Sequence, residues 1–308
     1  MNVNDTSIAY VNGRYVPSSQ CVLPMYDAGI VLGAAVTDLL RTFQGRPFAA
    51  VEHVHRFFES AKYAYLDLPM TESDTLDAIN HLVSHNSSAW PKREIAIILY
   101  ASAGEFSTYA GAAASAGSQQ ATVVFHCFPL PLWLWKESMT DGVHVVTPAQ
   151  RHIHPNTLSS KIKHRNRLHM WIGDKQAKLV DLKAVGLYLD LDGNISESSG
   201  ANFVIFKRGT VVCPRRNNIL WGVSLEVVSR LSRELGLGFV EQDIQIHDVV
   251  NADEAWLTST PYFLAPVVRA NGIPIGSGKP GRVWRQLMDA LSKEVGVDVL
   301  QQILDDSP

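Results

Sequence analysis

The chain has 308 residues and a net charge of −3, and 46% of its residues are hydrophobic while 19% are charged. This composition is typical of one large globular domain or two, and the near balance of charge excludes a general basic surface for nucleic acid. No apolar run is long enough to predict a membrane span, and the N-terminus lacks the basic and apolar regions of a signal peptide. Three widely separated cysteines, Cys21, Cys127 and Cys213, favour a reducing cytoplasm over a disulfide framework or a metal cluster.

The first part of the chain predicts hairpins, helices and buried strands. Asn12-Gly13 and Gln44-Gly45 each lie between apolar runs, as tight hairpin turns do. Apolar residues with helical spacing predict a helix over about 53–65, and a second helix is predicted over about 73–87. The segments "EIAIILYAS" and "ATVVFHCF" predict buried strands, and the small polar residues between them, 103–120, predict a mobile loop.

A domain boundary is predicted at "FPLPLWLWKESMTDG", where two prolines and two tryptophans interrupt the pattern. We therefore expect an N-terminal domain over 1–127, a linker over 128–142 and a C-terminal domain over 143–308. The sequence of the second domain predicts a short strand at 143–147, a helix that includes part of residues 159–171, a hairpin at Asp192-Gly193 and an amphipathic helix in "SLEVVSRLSRELGLG". Strands at "EAWLTST" and "FLAPVVRANGIPIG" and a closing helix follow. Helices and strands in blocks, joined by many hairpins, indicate the α+β class.

Cations are concentrated in "SSKIKHRNRLHMW", residues 159–171, where six of the thirteen residues are Lys, Arg or His. A lysine becomes a nucleophile that forms a Schiff base when burial or nearby cations lower its pKa. Arg165 and Arg167 provide such cations for Lys161 or Lys163. The alternative is a solvated, basic start of a helix.

Other segments carry possible cofactor contacts. Glu197, in "ISESSGANF", is either a turn residue or a carboxylate that keeps a pyridine nitrogen protonated, so that the ring accepts the electrons of a carbanion. Gly222 precedes a helix, and the N–H groups of Val223 and Ser224 would point outward at its positive end, where a phosphate binds. The hydroxyls of "TST" and the guanidinium of Arg56 are further phosphate candidates. Each of these segments alone could instead be a helix cap or a surface residue.

Taken in order, these segments resemble the fold-type IV, or class IV, pyridoxal-phosphate-dependent aminotransferases. The family contains branched-chain aminotransferases, D-amino-acid aminotransferases and aminodeoxychorismate lyases. The resemblance covers about Tyr10 to Pro274 and is carried by "EHVHRFFESA", "IKHRNRL", "ISESSGANFVIF", "GVS" and "TST". It implies a two-domain fold, with a smaller N-terminal α/β domain and a larger C-terminal domain that has a β-barrel-like core.

The resemblance also implies a role for each matching residue. Lys163, rather than Lys161, would hold pyridoxal 5′-phosphate as a Schiff base and act as the catalytic acid and base. Glu197 would pair with the pyridinium nitrogen. The phosphate contacts would be made by Arg56, Val223, Ser224, Ser259 and Thr260. An amino donor and a 2-keto-acid acceptor would be the substrates, and the enzyme would be a cytoplasmic homodimer without nucleic-acid or membrane partners.

The substrate side departs from the family pattern. D-amino-acid aminotransferases and the lyases carry an arginine for the substrate carboxylate in the loop that here reads "GEFST", and Glu105 occupies that position. Thr37, in "GAAVTD", replaces the usual aromatic residue and would make that wall wider and more polar. An arginine elsewhere in the sequence, such as Arg41, would then bind the carboxylate, or the substrate is an amine.

The sequence leaves two alternative functions and a possible metal site beside the aminotransferase. A lyase that eliminates pyruvate is favoured by "IKHRNRL" and disfavoured by "GEFST", whereas a cofactor-binding protein without turnover has no reason to retain Lys163, Glu197 and Arg56 together. His152 and His154 have a spacing that could ligate a metal on a strand. Because no cysteine or acidic residue lies nearby in the sequence, we predict no metal site.

Overall fold

The computed structural model describes residues 6–111 and 120–308, and the chain divides into two compact units. The first unit comprises Met1–Leu130 and the short segment Ile162–Asn166, and the second comprises Pro131–Lys161 and Arg167–Pro308. The boundary at Leu130 falls inside the segment that was predicted to be a linker. That segment is ordered as a 3-10 turn, Leu132–Trp135, followed by helix α5, Lys136–Thr140.

The first unit is built on a six-stranded sheet with the strand order β2-β1-β6-β5-β3-β4, in which all neighbours are antiparallel. Its strands are β1 (Ile8–Val11), β2 (Arg14–Pro17), β3 (Ala35–Phe43), β4 (Arg46–Pro47), β5 (Ile95–Ser102) and β6 (Thr122–Pro129). Its helices are α1 (Ala28–Val31), α2 (Ala50–Tyr63), α3 (Glu72–Ala89) and α4 (Ser107–Ala110). Helix α4 lies within the predicted loop 103–120, of which residues 112–119 are outside the described residues.

Local chemistry explains why these elements form. Asn12 and Gly13 have φ of 46° and 84°, and Gln44 and Gly45 have φ of 51° and 73°, so both predicted turns have the two left-handed residues of a tight hairpin. Helix α3 begins with a capping box, in which Thr71 and Asp74 exchange side-chain and backbone hydrogen bonds. The buried faces of α2 and α3 then pack with β3, β5 and β6 into one apolar core.

The second unit contains a nine-stranded sheet that closes on itself. Its strands are β7 (Val143–Val146), β8 (Val185–Leu189), β9 (Ile195–Ser198), β10 (Asn202–Lys207), β11 (Thr210–Cys213), β12 (Gly238–Glu241), β13 (Glu254–Ser259), β14 (Phe263–Ala270) and β15 (Ile273–Pro274). The order β10-β13-β14-β7-β8-β9 returns to β10 because β9 also pairs with β10, at Glu197 and Asn202. This six-stranded ring confirms the predicted barrel-like core.

The helices of the second unit are α5, α6 (Leu168–Val180), α7 (Val223–Glu234), α8 (Ile246–Val250), α9 (Arg282–Val295) and α10 (Val299–Asp305). Helix α6 begins at Leu168, so the predicted helix takes in only the end of the basic segment 159–171. Trp256 and Phe203 are among the largest fully buried side chains of the second unit. None of the helices in the two described stretches of chain is long and apolar enough to cross a membrane.

Candidate active site

Lys163 lies in the first unit, on a short extended segment that pairs with the start of β3. His164 forms an isolated antiparallel bridge with Val36, which is flanked by a hydrogen bond from the Thr37 N–H to the Lys163 carbonyl oxygen at 2.8 Å. The Lys163 N–H donates to Ser60 Oγ of helix α2 at 3.1 Å. Both peptide groups of this half-buried lysine are therefore fixed by the unit that carries it.

Arg165 lies two residues after Lys163, next to the isolated bridge of His164 with Val36. Its N–H donates to the Ala35 carbonyl oxygen at 2.9 Å, and its Nη2 donates to Thr37 Oγ1 at 3.0 Å. Thr37 is 3% exposed, and its hydroxyl donates to the Leu99 carbonyl oxygen at 2.8 Å. The Thr37 hydroxyl thus accepts a hydrogen bond from an exposed guanidinium two residues from Lys163. The sequence identified Thr37 as a wall residue but did not reveal this contact.

Arg56 makes a buried ion pair with Asp38 of β3. Its Nε donates to Oδ2 and its Nη2 to Oδ1, both at 2.8 Å, and the His53 Nδ1 lies 2.8 Å from Oδ1. Burial alone would raise the pKa of Asp38, but Arg56 and His53 outweigh it and hold that pKa far below its ordinary value. Burial lowers the pKa of His53 in spite of Asp38, and the charges of Arg56 and Lys163 lower it further, so the imidazole is neutral at pH 7. Asp38 therefore orients Arg56 through one edge of its guanidinium.

Two predicted substrate residues occupy different positions in the first unit. Arg41 is 1% exposed, and its guanidinium lies 3.9 Å from the centre of the Phe43 ring while its Nε donates to the Thr42 carbonyl oxygen at 3.0 Å. Burial lowers the pKa of Arg41 to about 10, and Glu94 opposes that shift. An arginine held inside the unit in this way does not support the predicted contact with a substrate carboxylate. Glu105 is half-buried, and its backbone forms an isolated antiparallel bridge with Asp27.

Glu197 lies in the second unit on β9, and only 9% of it is exposed. Its Oε2 accepts hydrogen bonds from Asn202 Nδ2 at 3.2 Å and from the Leu220 N–H at 3.3 Å. Its Oε1 lies 3.3 Å from Nε2 of His152, which is also buried. A buried carboxylate with a donor at each oxygen keeps a fixed orientation, which suits a group that must bind a cation. Asn202 and His152 are members of this cluster that the sequence did not reveal.

The predicted phosphate turn is the start of helix α7. Gly222 is its N-cap and makes no side-chain capping hydrogen bond, so the helix dipole and the first N–H groups, including those of Val223 and Ser224, are available for an anion. A Cβ at Gly222 would lie 2.3 Å from Asn202 Oδ1, so only glycine fits beside Asn202. Asn202 also donates to the Leu220 carbonyl oxygen at 2.7 Å, which ties this turn to Glu197.

The second predicted phosphate loop follows β13. Ser259 Oγ donates to the Gly200 carbonyl oxygen at 2.7 Å, and Thr260, half-buried, follows it. Thr258 pairs with Asn202 across the sheet, is buried, and its Oγ1 has no hydrogen-bond partner within the described residues. An orphaned hydroxyl beside Asn202 and a glycine-lined helix start fit a ligand that carries both a cationic ring nitrogen and a phosphate. Thr258, which the sequence placed only within a run of hydroxyls, joins the candidate phosphate contacts.

The predicted site residues divide between the two units. Lys163, Arg56, Thr37, Arg41 and Glu105 belong to the first unit. The second unit carries Glu197, Val223, Ser224, Ser259 and Thr260. Each unit therefore has a polar cluster of its own. The first contains Lys163, Arg56 and Arg165, and the second contains the Glu197 carboxylate and the anion-binding start of α7.

This fold and these clusters define a class of enzyme that uses pyridoxal phosphate. Residues 35–270 match the family described as amino-transferase class IV, and the chain belongs to this family. A D-alanine aminotransferase of Bacillus licheniformis is 26% identical over 92% of this chain and 95% of its own length. Branched-chain-amino-acid aminotransferase-like protein 1 of Arabidopsis thaliana is 28% identical over 94% of this chain, which spans 51% of that protein.

Solved structures of branched-chain amino acid aminotransferases share the fold. The enzyme of Escherichia coli superposes with a TM-score of 0.85 at 23% identity, over 94% of each chain. The protein is an aminotransferase, and pyridoxal phosphate is its cofactor. The comparisons do not favour the lyase alternative.

Proposed function

We propose that the enzyme exchanges amino groups between an amino acid and a 2-keto acid, with the cofactor held as a Schiff base on Lys163. The observation that carries this proposal is the anchoring of Lys163: Thr37 and Ser60 fix the peptide groups on either side of its Cα at 2.8 and 3.1 Å. A catalytic lysine must release the cofactor when substrate binds and then act at a nearby atom. A fixed backbone keeps the free amine within reach during that exchange.

The cofactor, when bound, supplies a ring that accepts the electron pair left when the substrate loses its α proton. Lys163 removes the proton from the substrate α-carbon and later returns a proton, so it is both base and acid. Glu197 holds a proton on the ring nitrogen, because an ionised carboxylate stabilises the cation that faces it. Two of its donors, Asn202 and the Leu220 N–H, hold it in place.

The cofactor phosphate is assigned to the start of α7 and to the loop after β13. The N–H groups of Val223 and Ser224 would donate to its oxygens, and the hydroxyls of Ser259 and Thr260 would line the second loop. Thr258 Oγ1, buried and without a partner in the described residues, is a further donor. By the family resemblance, Arg56, which Asp38 orients, would supply positive charge to the phosphate.

Arg165 is our candidate for the substrate carboxylate, in place of the arginine that is missing at position 105. It is exposed, and its guanidinium donates to Oγ1 of Thr37, the residue whose N–H donates to the Lys163 carbonyl oxygen. A guanidinium binds a carboxylate through two parallel hydrogen bonds, which orients the α-carbon as well as attracting the charge. This proposal favours an amino acid over a simple amine as the donor. A homodimer and a cytoplasmic location are proposed from the family resemblance and from the three separate cysteines.

The experiment that tests the role of Lys163 compares two lysines of one segment. Borohydride reduction of the wild-type enzyme, followed by peptide mass spectrometry, is expected to place the cofactor on Lys163. Lys163→Ala is expected to lose the reducible linkage and at least ~10³-fold of kcat, because the acid, the base and the attachment point are one group. Lys161→Ala, whose exposed side chain is two residues away, is the matched control. A Lys163→Ala enzyme that still forms the linkage and turns over would refute the assignment.

The same enzyme identifies the donor class. Absorbance spectra are recorded before and after the separate addition of L-glutamate, D-alanine, branched-chain amino acids and simple chiral amines. Conversion of the bound cofactor to its amine form by one of the amino acids supports transamination. A spectrum that no donor changes would contradict it, and aminodeoxychorismate would then test the lyase.

A further inference from the structure

We propose that His152 is a positioning residue for Glu197, and that it does this as an imidazolium cation. The inference rests on the proposed role of Glu197 at the cofactor ring nitrogen. It concerns a residue that the sequence offered only as one of two possible metal ligands.

The protonation state of His152 follows from what its two nitrogens face. Nδ1 lies 3.0 Å from the Ile153 carbonyl oxygen, and Nε2 lies 3.3 Å from Glu197 Oε1. A carbonyl oxygen and an ionised carboxylate both accept hydrogen bonds and donate none. Each ring nitrogen must therefore carry a hydrogen, which is the state of a cation. The ring is 8% exposed, so water does not replace either contact.

The charged groups around His152 agree with this state. Burial by itself lowers the pKa of His152, but the hydrogen bond and charge of Glu197, the Ile153 carbonyl and the charge of Asp190 outweigh it and raise that pKa. The neighbouring His169 of α6 lies edge-on, with 5.8 Å between ring centres. Burial lowers the pKa of His169, and the charges of His152 and Arg167 lower it further. One imidazole of the pair is thus cationic and the other neutral.

The consequence for Glu197 is that both of its oxygens are held, Oε1 by His152 and Oε2 by Asn202 and the Leu220 N–H. The cation at Oε1 also offsets part of the charge of the buried Glu197 carboxylate. When His152 loses its proton, only one of its two ring nitrogens can still donate, and the carboxylate loses the positive charge beside Oε1. Because the pKa of His152 is raised, this support is complete below the ordinary pKa of histidine and is lost as the pH rises through the raised pKa.

The first test uses the wild-type apoprotein and needs no variant. Nitrogen-15 NMR of the histidine rings follows the protonation of His152 between pH 5 and pH 9. We expect both ring nitrogens of His152 to carry hydrogen at pH 7, and Glu197→Gln to lower its pKa. A neutral His152 at pH 7, or a pKa that Glu197→Gln leaves unchanged, would overturn the proposal.

The second test measures the affinity of the apoprotein for pyridoxine 5′-phosphate, which has no aldehyde and therefore cannot react with Lys163. The dissociation constant of the wild type should rise about 10-fold as the pH passes through the His152 pKa. His152→Gln should bind about 10-fold more weakly at pH 7 and lack that step, and His154→Gln, two residues away, is the matched control. A His152→Gln protein with the wild-type pH profile would overturn the positioning role. If Glu197→Gln left the affinity unchanged while the NMR result stood, the assignment of Glu197 to the ring nitrogen would be the part that failed.

Discussion

Replacement of Asp38 by asparagine is the most direct test of the cluster around Arg56. The Asp38 carboxylate is 0% exposed and accepts both hydrogen bonds of a bidentate guanidinium, with His53 as a third partner and the Leu39 N–H, at 2.7 Å, as a fourth. Asparagine has nearly the same shape but no charge, and its amide nitrogen turns one acceptor into a donor. The Asp38→Asn variant therefore leaves the Arg56 cation buried without its counter-ion.

The expected cost is about 3–5 kcal/mol of unfolding free energy, the range found when one partner of a buried ion pair is removed. An exposed ion pair would contribute less than about 1 kcal/mol. The buried case applies because Arg56, like Asp38, is shielded from water. The pKa of Asp38 is depressed, so its contribution is complete at neutral pH. It is lost only as the pH falls through that depressed pKa, and the loss in the variant should shrink under strongly acidic conditions.

Urea unfolding of the apoprotein, followed by circular dichroism, measures this cost. Asp67→Asn, at an exposed aspartate of the same unit, is the control and should change the unfolding free energy by less than about 0.5 kcal/mol. The double variant Asp38→Asn, Arg56→Met should recover part of the loss, because it also removes the stranded cation. An Asp38→Asn protein as stable as the Asp67→Asn control would refute the reasoning.

Two further predictions concern the cofactor and the substrate. Gly222→Ala places a Cβ 2.3 Å from Asn202 Oδ1, so we expect the start of α7 to shift. The affinity for pyridoxal phosphate, measured by titration of the apoprotein, should then fall at least ~10-fold. Unchanged affinity would show that this turn does not bind the phosphate. Arg165→Gln is expected to lower kcat/KM for the preferred amino acid by about 10²-fold. The kcat/KM for an amine without a carboxylate should change less than about 3-fold. Equal losses for both donors would instead indicate a structural role.

Local signals made much of the fold predictable. The hairpins at Asn12-Gly13 and Gln44-Gly45 follow from residues that tolerate positive φ, and helix α2 follows from the apolar spacing of its buried face. The long β-rich runs gave β5 and β6. The basic segment 159–171 was less predictable, because its composition suits a helix start while residues 163–165 are held by backbone pairing with β3. Such pairing depends on residues more than a hundred positions away.

The same distance in sequence limits what could be predicted of the site. Single residues such as Lys163 and Glu197 have recognisable neighbours along the chain. The contacts of Arg165 with Thr37, and of His152 with Glu197, join residues 128 and 45 positions apart. Arg41 was suggested for the substrate carboxylate because position 105 lacks an arginine, and the structure places its guanidinium in the interior of the unit, against Phe43. Which face of a strand a residue occupies is set by register, which composition does not encode.

The cations of residues 159–171 make separate contacts in the two units. Within the first unit, Lys163 is anchored by Thr37 and Ser60, and Arg165 is held by Thr37. Within the second unit, Arg167 donates to the Ser199 carbonyl oxygen at 2.8 Å, close in sequence to Glu197, and His169 lies against His152. The segment crosses from one unit to the other at Asn166–Arg167, so neighbouring cations serve different clusters. If the segment were only a solvated, basic start of a helix, its cations would not be divided between two clusters. The peptide groups on both sides of Lys163 would then not be fixed by Thr37 and Ser60.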